Sequence, residues 1–507
     1  MKLQILLTLA TLLVGSEDRV IDDAAWRADI TETAVTIREH HPRPFREISA
    51  EDFDQALEIL LRDVPDLTDK EIIVRLAALV ALIDDGHTRL SIPRQHPEIS
   101  LEFGHTATTA PEYEALAFRQ LPVAFEKFED GVFIIAASAE HAELIGQEVT
   151  AVDGMPIDDA LATVQAITFA ENSQLDALMG VDRLTLPEAL VALGISESAE
   201  SVTLDLGDGG RSTLKPLPGS QYDWVTSFSV GSLPLRLENP EEKFWAKHIA
   251  DGNFVYMQMD EITDGDIPLA EFVAKTLAMA EENDAKLVID IRNNFGGSGG
   301  LNKTLVMSLI QSEELNQYNR TFVLTGRRTF SAAQMLVNEL EQYTRVSLVG
   351  EPTGSRPDHF GDPKKVRLEH SGLTLRVSRL HWSSYGAFDD REASSPDFPA
   401  AWTSGDYFSG DDPALELAIS LQEISLESLL RNALARKDLH QVGRYTLDSK
   451  RSPGTYETDF SDLLLTLGNE TLAPGDTDIA SFAYQVGLYF YPQHAGLREA
   501  LEGIGEP

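Results

Sequence analysis

Apolar residues recur at helical spacing near the beginning of the chain. Two such stripes follow one another, separated by Pro42 and Pro44, which break a helix: Trp26, Ile30, Ala34 and Ile37, then Phe53, Leu57, Leu60 and Leu61. A third helix is predicted from Asp69 to about Ile83, because Thr68 and Glu71 form a capping-box signature before it. The pattern therefore predicts a helical region over residues 22–83.

Short β-type runs replace this pattern between residues 121 and 157. Two strands are predicted at Val132–Ala136 and Glu148–Val152, with a turn at Asp153-Gly154. Residues 158–196 again have a helical pattern, and alternating residues from Val202 to Leu206 before Asp208-Gly209-Gly210 predict a hairpin.

Strands and helices alternate from about residue 253. The predicted strands are Phe254–Met259, Lys286–Ile291, Thr321–Thr325 and Val346–Val349; the predicted helices between them are Pro268–Glu282, Leu301–Ile310 and Ala332–Tyr343. Such alternation with short connections indicates an α/β core with parallel strands and right-handed crossovers. Chemistry in these sheets gathers at the carboxyl ends of the strands.

The chain is predicted to be helical from about residue 415 to its end. The segments Ala480–Tyr484 and Tyr491–Ala495 resemble part of a tetratricopeptide unit, which we expect to pack on the main body because one unit cannot bury its own apolar face. Residues 145–156 resemble the second half of a PDZ domain. We expect this partial unit to bind an extended peptide by strand addition.

Charge and composition restrict the possible partners. The 507 residues include 82 Asp and Glu against 41 Lys and Arg, a net charge of −41. That field repels phosphate backbones and anionic lipids, which argues against nucleic-acid and membrane partners. The chain contains no cysteine, which excludes disulfides, thiolate metal sites, a cysteine nucleophile and a lipoprotein anchor.

The first sixteen residues have the pattern of a signal peptide. Lys2 precedes an apolar run from Leu3 to Val14, and Gly15-Ser16 offers a small-residue cleavage site. We therefore expect an exported protein of the periplasm or the extracellular space. The predicted organisation is a signal peptide at 1–16, a helical region at 17–100, a PDZ-like mixed region at 101–245, an α/β core at 246–415 and a helical tail at 416–507.

Two loops at predicted strand ends contain the residues best suited to catalysis. The glycine-rich loop from Asp290 to Gly300 allows close backbone approach to a ligand, with N–H groups facing an oxyanion. In the second loop, Ser331 starts a predicted helix. It has two interpretations: Ser331 and Gln334 form a capping box, or Ser331 is a nucleophile with the N–H of Ala332 directed at the substrate.

The remaining candidate catalytic residues are a general base and an alternative nucleophile. His87 follows Asp84-Asp85-Gly86, and a neutral imidazole held by a carboxylate accepts a serine proton. The segment Gly296–Gly300 also satisfies the G-x-S-x-G pattern, with Ser298 as an alternative nucleophile. No HExxH or EF-hand motif is present, and we expect neither a metal nor another cofactor.

Taken in order along the chain, these segments resemble the tail-specific, or C-terminal-processing, serine peptidases. The loop from Leu287 to Gly297 is similar to that family's Asp-x-Arg-x-Asn-x-Gly-Gly pattern. The other matching segments are His41-Pro42, Asp85–Thr88, Thr329–Ala333, Val349–Gly354, Ser395–Asp397 and Asp411–Pro413. The resemblance spans roughly residues 40–415 and includes the tricorn-like and retinoid-binding relatives.

This resemblance implies an α/β fold with a crotonase-like core and a Ser–His mechanism. Ser331 carries over as nucleophile, Gly297 or Gly296 and Ala332 as oxyanion donors, and Arg292 and Asn294 as substrate-binding residues. The position of the lysine base in other members is Arg356 here, and a guanidinium stays protonated. His87 therefore takes the base position of the tricorn-like branch.

The acid that orients His87 is left open by the sequence. In tricorn a serine precedes the histidine and relays to a glutamate, whereas Gly86 stands here. The candidates are Asp85, Asp389, Asp390 and Glu351, and we favour Asp390 because of its distance from Pro396-Asp397.

The sequence thus predicts an exported serine endopeptidase that cleaves peptides or unfolded proteins. One alternative is a binding protein for an apolar ligand or peptide on the same fold, because fold does not imply function. The other alternative is an esterase that uses Ser298. The substrate preference and the oligomeric state stay undetermined.

Overall fold

The structure is a computed structural model, and it describes residues 19–94, 116–218, 223–227, 234–383, 389–422, 424–451, 460–473 and 475–504. The predicted signal peptide and the predicted boundary between residues 100 and 101 lie outside these residues. Within them, none of the helices is both long and apolar enough to cross a lipid bilayer.

Three helices open the described chain, as the apolar stripes predict. They are α1 (Asp23–His40), α2 (Ala50–Asp63) and α3 (Asp69–Ala81). Thr68 and Glu71 form the predicted capping box, in which the Thr68 hydroxyl accepts from the Glu71 N–H and the Glu71 carboxylate accepts from the Thr68 N–H. Helix α3 is buried along nearly all its length, because it packs between the other helices and the β-rich region that follows.

The middle of the chain contains two small antiparallel sheets with helices beside them. The first sheet has the order β2-β3-β8 and the second β5-β4-β6-β7. The elements are β1 (Arg89–Leu90), β2 (Val123–Phe128), β3 (Gly131–Ser138), β4 (Val149–Val152), β5 (Met155–Pro156), α4 (Ile157–Val164), α5 (Ser173–Arg183), α6 (Pro187–Ala192), β6 (Val202–Leu206), β7 (Arg211–Leu214) and β8 (Trp224–Thr226). Asp153 and Gly154 adopt positive φ at the β4–β5 turn, which matches the predicted turn there.

A six-stranded sheet forms the α/β core, in the order β18-β13-β12-β11-β10-β9. All neighbouring strands are parallel except the edge pair β9–β10, so the predicted parallel arrangement is correct. The elements are β9 (Phe244–Ile249), β10 (Phe254–Met259), α7 (Leu269–Glu282), β11 (Lys286–Asp290), α8 (Asn302–Gln311), β12 (Thr321–Thr325), α9 (Ala332–Tyr343), β13 (Ser347–Gly350), β18 (Phe398–Pro399), α10 (Ser404–Ser409) and α11 (Pro413–Ser420).

Both faces of this sheet are covered, which explains its continuous apolar strands. Alternate residues such as Val255 and Leu287 pack against α7, α8 and α9. Their neighbours Tyr256 and Val288 pack on the opposite face, against α11. The loops at the carboxyl ends of β11 and β12 are thereby held on a rigid frame.

A second group of strands connects the helical beginning of the chain to this core. Strand β1 pairs with β16 (Thr374–Val377), which in turn pairs with β15 (Lys364–Arg367), and β14 (His359–Gly361) pairs with β17 (Leu380–Trp382). The β1–β16 pairing brings the residues just before β1 against a segment nearly 300 positions later.

The described end of the chain is helical, as predicted. Its helices are α12 (Leu426–Ala435), α13 (Leu439–Arg451), α14 (Ser461–Leu472), α15 (Thr477–Phe490) and α16 (Ala495–Ile504). They share one apolar core. The Tyr445 hydroxyl donates to the buried Asp397 carboxylate, and Arg436 donates to the Asp397 carbonyl at 2.7 Å. These bonds fasten the tail to the sheet, as expected of a unit that does not stand alone.

Candidate active site

Ser331 begins α9 in a strained backbone conformation. Its φ is 57° and its ψ is −121°, a region that a residue with a side chain enters at a cost of about 1–3 kcal/mol. Its hydroxyl makes no capping hydrogen bond, and the Gln334 amide donates to Asn338 and Ser394 instead. The capping-box interpretation is therefore wrong, because the positive φ turns the hydroxyl away from the helix N–H groups.

His87 meets this hydroxyl although the two residues are 244 positions apart. The distance from His87 Nε2 to Ser331 Oγ is 2.8 Å. The imidazole stacks on the ring of Phe330, with centroids 4.5 Å apart and planes inclined by 22°. Gly86 makes this stacking possible, because a Cβ there would lie 2.7 Å from the Phe330 ring.

Asp85 is the carboxylate beneath His87. Its Oδ1 accepts from the His87 backbone N–H at 2.9 Å, and its Oδ2 accepts from the Thr88 hydroxyl at 2.5 Å and the Ser378 hydroxyl at 2.6 Å. His41 Nε2 lies 3.1 Å from Oδ2. Because His41 Nδ1 accepts from the Arg43 N–H, Nε2 carries the proton and donates it to Asp85.

The charge of Asp85 persists despite its burial. Burial by itself raises the pKa of this carboxyl, but the hydrogen bond from His41, the electrostatic contributions of the two imidazoles and the hydrogen bond from Ser378 outweigh it. The net effect holds the pKa of Asp85 well below its usual range. A negative charge therefore lies next to His87 throughout the neutral pH range.

His87 is neutral in the resting site. Burial lowers its pKa from 6.5 to about 3, and the charge of Asp85 only partly offsets this effect. The Nδ1 atom of His87 is buried in the described chain. The backbone of Phe360 raises the pKa of the imidazole, but by less than burial lowers it. A proton on Nδ1 leaves the Nε2 lone pair directed at the Ser331 hydroxyl, the arrangement a general base needs.

The glycine-rich loop lies directly against Ser331. Gly296 and Gly297 have φ of 108° and 135°. A Cβ on Gly296 would lie 2.8 Å from the Ser331 Cβ and 2.9 Å from the Ala332 nitrogen. The Gly296 N–H donates to Asn294 Oδ1 at 2.8 Å, whereas the N–H groups of Gly297 and Ala332 donate to no acceptor among the described residues. Gly297 and Ala332, rather than Gly296, thus have donors for an oxyanion.

Arg292 and Asn294 do not have the free polar groups expected of substrate-binding residues. The Arg292 guanidinium is buried between Asp290 and Asp412, with bonds of 2.6 and 2.7 Å. Asn294 is fully buried and donates from Nδ2 to the Met259 carbonyl. Both side chains use their hydrogen-bonding capacity to hold the glycine-rich loop in place.

Asp390 lies outside the group of residues around His87. It is exposed and lines a cavity of about 990 Å³ with Asn172 and His440. Within the described chain, no hydrogen bond or ion pair joins it to His87. Of the other candidates, Asp389 binds Arg391 and Glu351 pairs with Arg327 at 2.8 Å. Of these four carboxylates, Asp85 is the one that the described structure places in contact with His87, through the His87 backbone N–H.

Ser298 lacks the surroundings of a nucleophile. Strand β11 ends eight residues before it, so the turn is not a tight elbow, and its φ of −93° is unstrained. Its N–H donates to the Ile262 carbonyl. Ser298 is exposed, and among the described residues no histidine contacts it.

Two buried groups near the site carry no motif in the sequence. His359 lies with its ring 6.0 Å from that of His87, and burial lowers its pKa to about 4. Glu171 accepts from Ser355 and from the Arg356 N–H, and burial, reinforced by the charge of Asp85, raises its pKa to about 8. Only the folding of distant segments brings them here, so spacing offered no signal for either.

Arg356, which the sequence resemblance aligns with a lysine base, makes its polar contacts away from Ser331. Its Nε donates to the Glu171 carbonyl and its NH2 lies 3.8 Å from Asp84. Among the described residues, no group of three metal-ligating side chains occurs. The candidate site thus groups Ser331, His87, Asp85 and the N–H groups of Gly297 and Ala332.

Comparison with known proteins identifies the fold. No family model matches the sequence, and no curated protein matches it. Mature CPAF complexed with lactacystin matches with a TM-score of 0.54 at 14% identity, over 78% of this chain and 97% of that chain. Mature CPAF alone gives 0.51 at 14% identity, over 82% and 99%. The photosystem II D1 C-terminal processing protease gives 0.37 at 15%, over 74% and 93%, which is too low to support an argument.

The matches cover almost the full length of the CPAF chains, 97% and 99%. This chain is therefore a mixed α/β protein with the fold of mature CPAF, and the α/β part of the sequence-based prediction is confirmed. At 14% identity the likeness concerns the fold alone. The roles of individual residues depend on the geometry described above.

The strain at Ser331 predicts an unusual ranking of variants. Ser331→Gly should be more stable than Ser331→Ala by about 1–3 kcal/mol, because glycine adopts positive φ without penalty. Urea unfolding of both variants measures the difference. The matched pair Ser298→Gly and Ser298→Ala, at a φ of −93°, should lack this gain. Equal stability of the two Ser331 variants would contradict the strained conformation.

Proposed function

We propose that this protein is an exported serine endopeptidase of the tail-specific protease type. The observation that carries the proposal is the 2.8 Å contact between His87 Nε2 and Ser331 Oγ, made by a serine held in a strained conformation at a helix start. The apolar segment at residues 3–14 supports export, and the domain organisation predicted above is proposed with it.

The proposed reaction is acyl transfer to water. His87 Nε2 removes the proton of Ser331, whose Oγ attacks the peptide carbonyl carbon. The N–H groups of Gly297 and Ala332 stabilise the negative oxygen of the tetrahedral intermediate, and the dipole of α9 adds to this effect. His87 then gives its proton to the leaving amine. In the second half, His87 removes a proton from water, which attacks the acyl carbon, and returns that proton to Ser331 Oγ as the carboxylic acid leaves.

Asp85 is proposed to stabilise the imidazolium that forms during the reaction. Its charge lies beneath the ring, and four donors hold it there. Because its contact with His87 runs through the backbone N–H, it acts by electrostatics and by position rather than by a bond to Nδ1. Arg292 and Asn294 are proposed to act indirectly, by holding the oxyanion loop.

The first test is cleavage of a mixed peptide and unfolded-protein library, followed by mass spectrometry. Ser331→Ala and His87→Ala should each lose at least about 10³-fold in rate, because nucleophile and base act as a unit. Ser298→Ala should keep wild-type activity. Activity that survives in Ser331→Ala would contradict the proposed nucleophile, and loss in Ser298→Ala would favour the esterase alternative. Binding of an apolar ligand without cleavage would favour the binding-protein alternative.

A second prediction concerns pH. With a His87 pKa of about 3, the base form persists in acid, so kcat/KM should be flat between pH 5 and 7. Glu171, whose pKa is about 8, stays protonated over most of this range. Glu171→Gln keeps its neutral form and should leave the profile unchanged. A loss of activity centred near pH 6.5 would show a solvated His87 instead.

A third prediction separates the two carboxylates. Asp85→Asn removes the charge that favours the imidazolium, so kcat should fall by about 10²–10⁴-fold. Asp390→Asn should leave kcat unchanged, because its carboxylate lies outside the site. Far-UV circular dichroism checks that both variants fold. A large loss in Asp390→Asn together with normal Asp85→Asn activity would reverse the assignment.

A further inference from the structure

The hairpin of β14 and β17 lies along one side of His87. Its register pairs His359 with Trp382 and Gly361 with Leu380. Paired residues and residues two apart share a face of a two-stranded ribbon, so the side chains of His359, Trp382 and Leu380 lie on one face, with Gly361 between them. The His359 ring is stacked 6.0 Å from the His87 ring, so this face is directed toward the imidazole.

Trp382 and His87 approach the same point beside Gly361. A methyl group on Gly361 would lie 3.2 Å from the indole Cδ1 and Nε1 of Trp382 and 3.8 Å from His87 Cε1. The indole and the imidazole edge that carries Cε1 therefore border the same small space, which the absence of a Gly361 side chain leaves open.

The opposite face of the hairpin anchors it. Phe360 is buried, and its ring lies 4.6 Å from that of His41, with the Arg46 guanidinium 5.1 Å from its centroid. This packing holds the hairpin in place and leaves Trp382 and Leu380 36% and 43% exposed. Large apolar side chains that are exposed to water beside a proposed base indicate a binding surface for an apolar group.

The chemistry identifies which part of a substrate passes this point. His87 Nε2 protonates the leaving amine, so the chain that follows the scissile bond must run along the imidazole. The oxyanion donors on Gly297 and Ala332 lie at Ser331, on the side of the acyl group. The hairpin therefore borders the leaving-group side.

The charged side chains next to Trp382 and Leu380 are paired with each other. Arg379 binds Asp362 at 2.6 Å, and His381 lies 2.6 Å from Asp358. The surface presented by Trp382 and Leu380 is thus apolar in character, and it complements an apolar side chain better than a charged one.

We propose that Trp382, with Leu380 and the Gly361 backbone, forms the subsite for the residues directly after the scissile bond, and that this subsite takes an apolar side chain, aromatic ones best. The proposal rests on the proposed function, because it uses Ser331 and His87 as nucleophile and base. Trp382 is a specificity-determining residue in this scheme.

The experiment compares cleavage-site profiles of the full chain and its variants. A peptide library is digested, and mass spectrometry gives the residues on both sides of each cut. The wild type should be enriched in apolar residues at the first or second position after the cut. Trp382→Ala should lower kcat/KM for such peptides about tenfold and flatten that position alone, whereas Trp382→Phe should keep most of the preference. Tyr489→Ala, which removes a distant aromatic side chain that is 81% exposed, should match the wild type.

A second measurement separates this proposal from the proposed function. A fluorophosphonate probe bonds its phosphorus to Ser331 Oγ with loss of fluoride, and it has no residue on the leaving side. Trp382→Ala should therefore be labelled at the wild-type rate. Failure of the wild type to be labelled at Ser331 would overturn the nucleophile and this subsite together.

Normal labelling with an unchanged cleavage profile in Trp382→Ala would overturn the subsite alone. A change confined to residues before the cut would also overturn it. So would enrichment of lysine and arginine after the cut, since the indole would then act as a cation–π partner.

Discussion

The buried carboxylate of Asp85 is the constraint on which the arrangement of the site depends. A desolvated charge is costly unless hydrogen bonds compensate it, and here four donors come from three places in the chain. His41 follows α1, Thr88 and His87 follow α3, and Ser378 follows β16. Satisfying one carboxylate thus joins the helical beginning of the chain to the later strands and positions the His87 backbone.

Ser331 shows a second kind of constraint, which is steric. Its positive φ directs the hydroxyl toward His87 and away from the helix that it begins. The neighbouring loop tolerates this arrangement because Gly296 has no side chain, as a Cβ there would collide with the Ser331 Cβ. The strain is maintained by the two-sided packing of the sheet and by the hydrogen bonds of Asn294 and Arg292. Stability elsewhere in the fold thereby supports an unfavourable conformation at one residue.

Local pattern predicted most of the secondary structure. Three elements have the predicted ends: the strands Phe254–Met259 and Thr321–Thr325 and the helix Ala332–Tyr343. Each is a clear apolar run or helical apolar pattern with turn residues on both sides. The pattern also predicted the fold class, since alternation of strand and helix permits few topologies. It left two interpretations of Ser331 open, because a capping box and a nucleophile have the same residue types and only φ distinguishes them. It also gave no sign that the Asn294 side chain bonds to backbone, which only the folded chain shows.

The sequence by itself therefore determined the elements, the parallel core, the acidic surface and the short group of residues from which Ser331 and His87 could be chosen. Only the tertiary structure decided that these two side chains meet and that Asp85, rather than Asp390, lies next to His87. It also decided which other side chains lie near His87, among them Glu171, His359 and Trp382. The physical reason is that the two kinds of interaction act over different distances along the chain. Periodicity and caps act within a few residues, whereas charge compensation and steric fit join side chains that are hundreds of positions apart and appear only once the chain is packed.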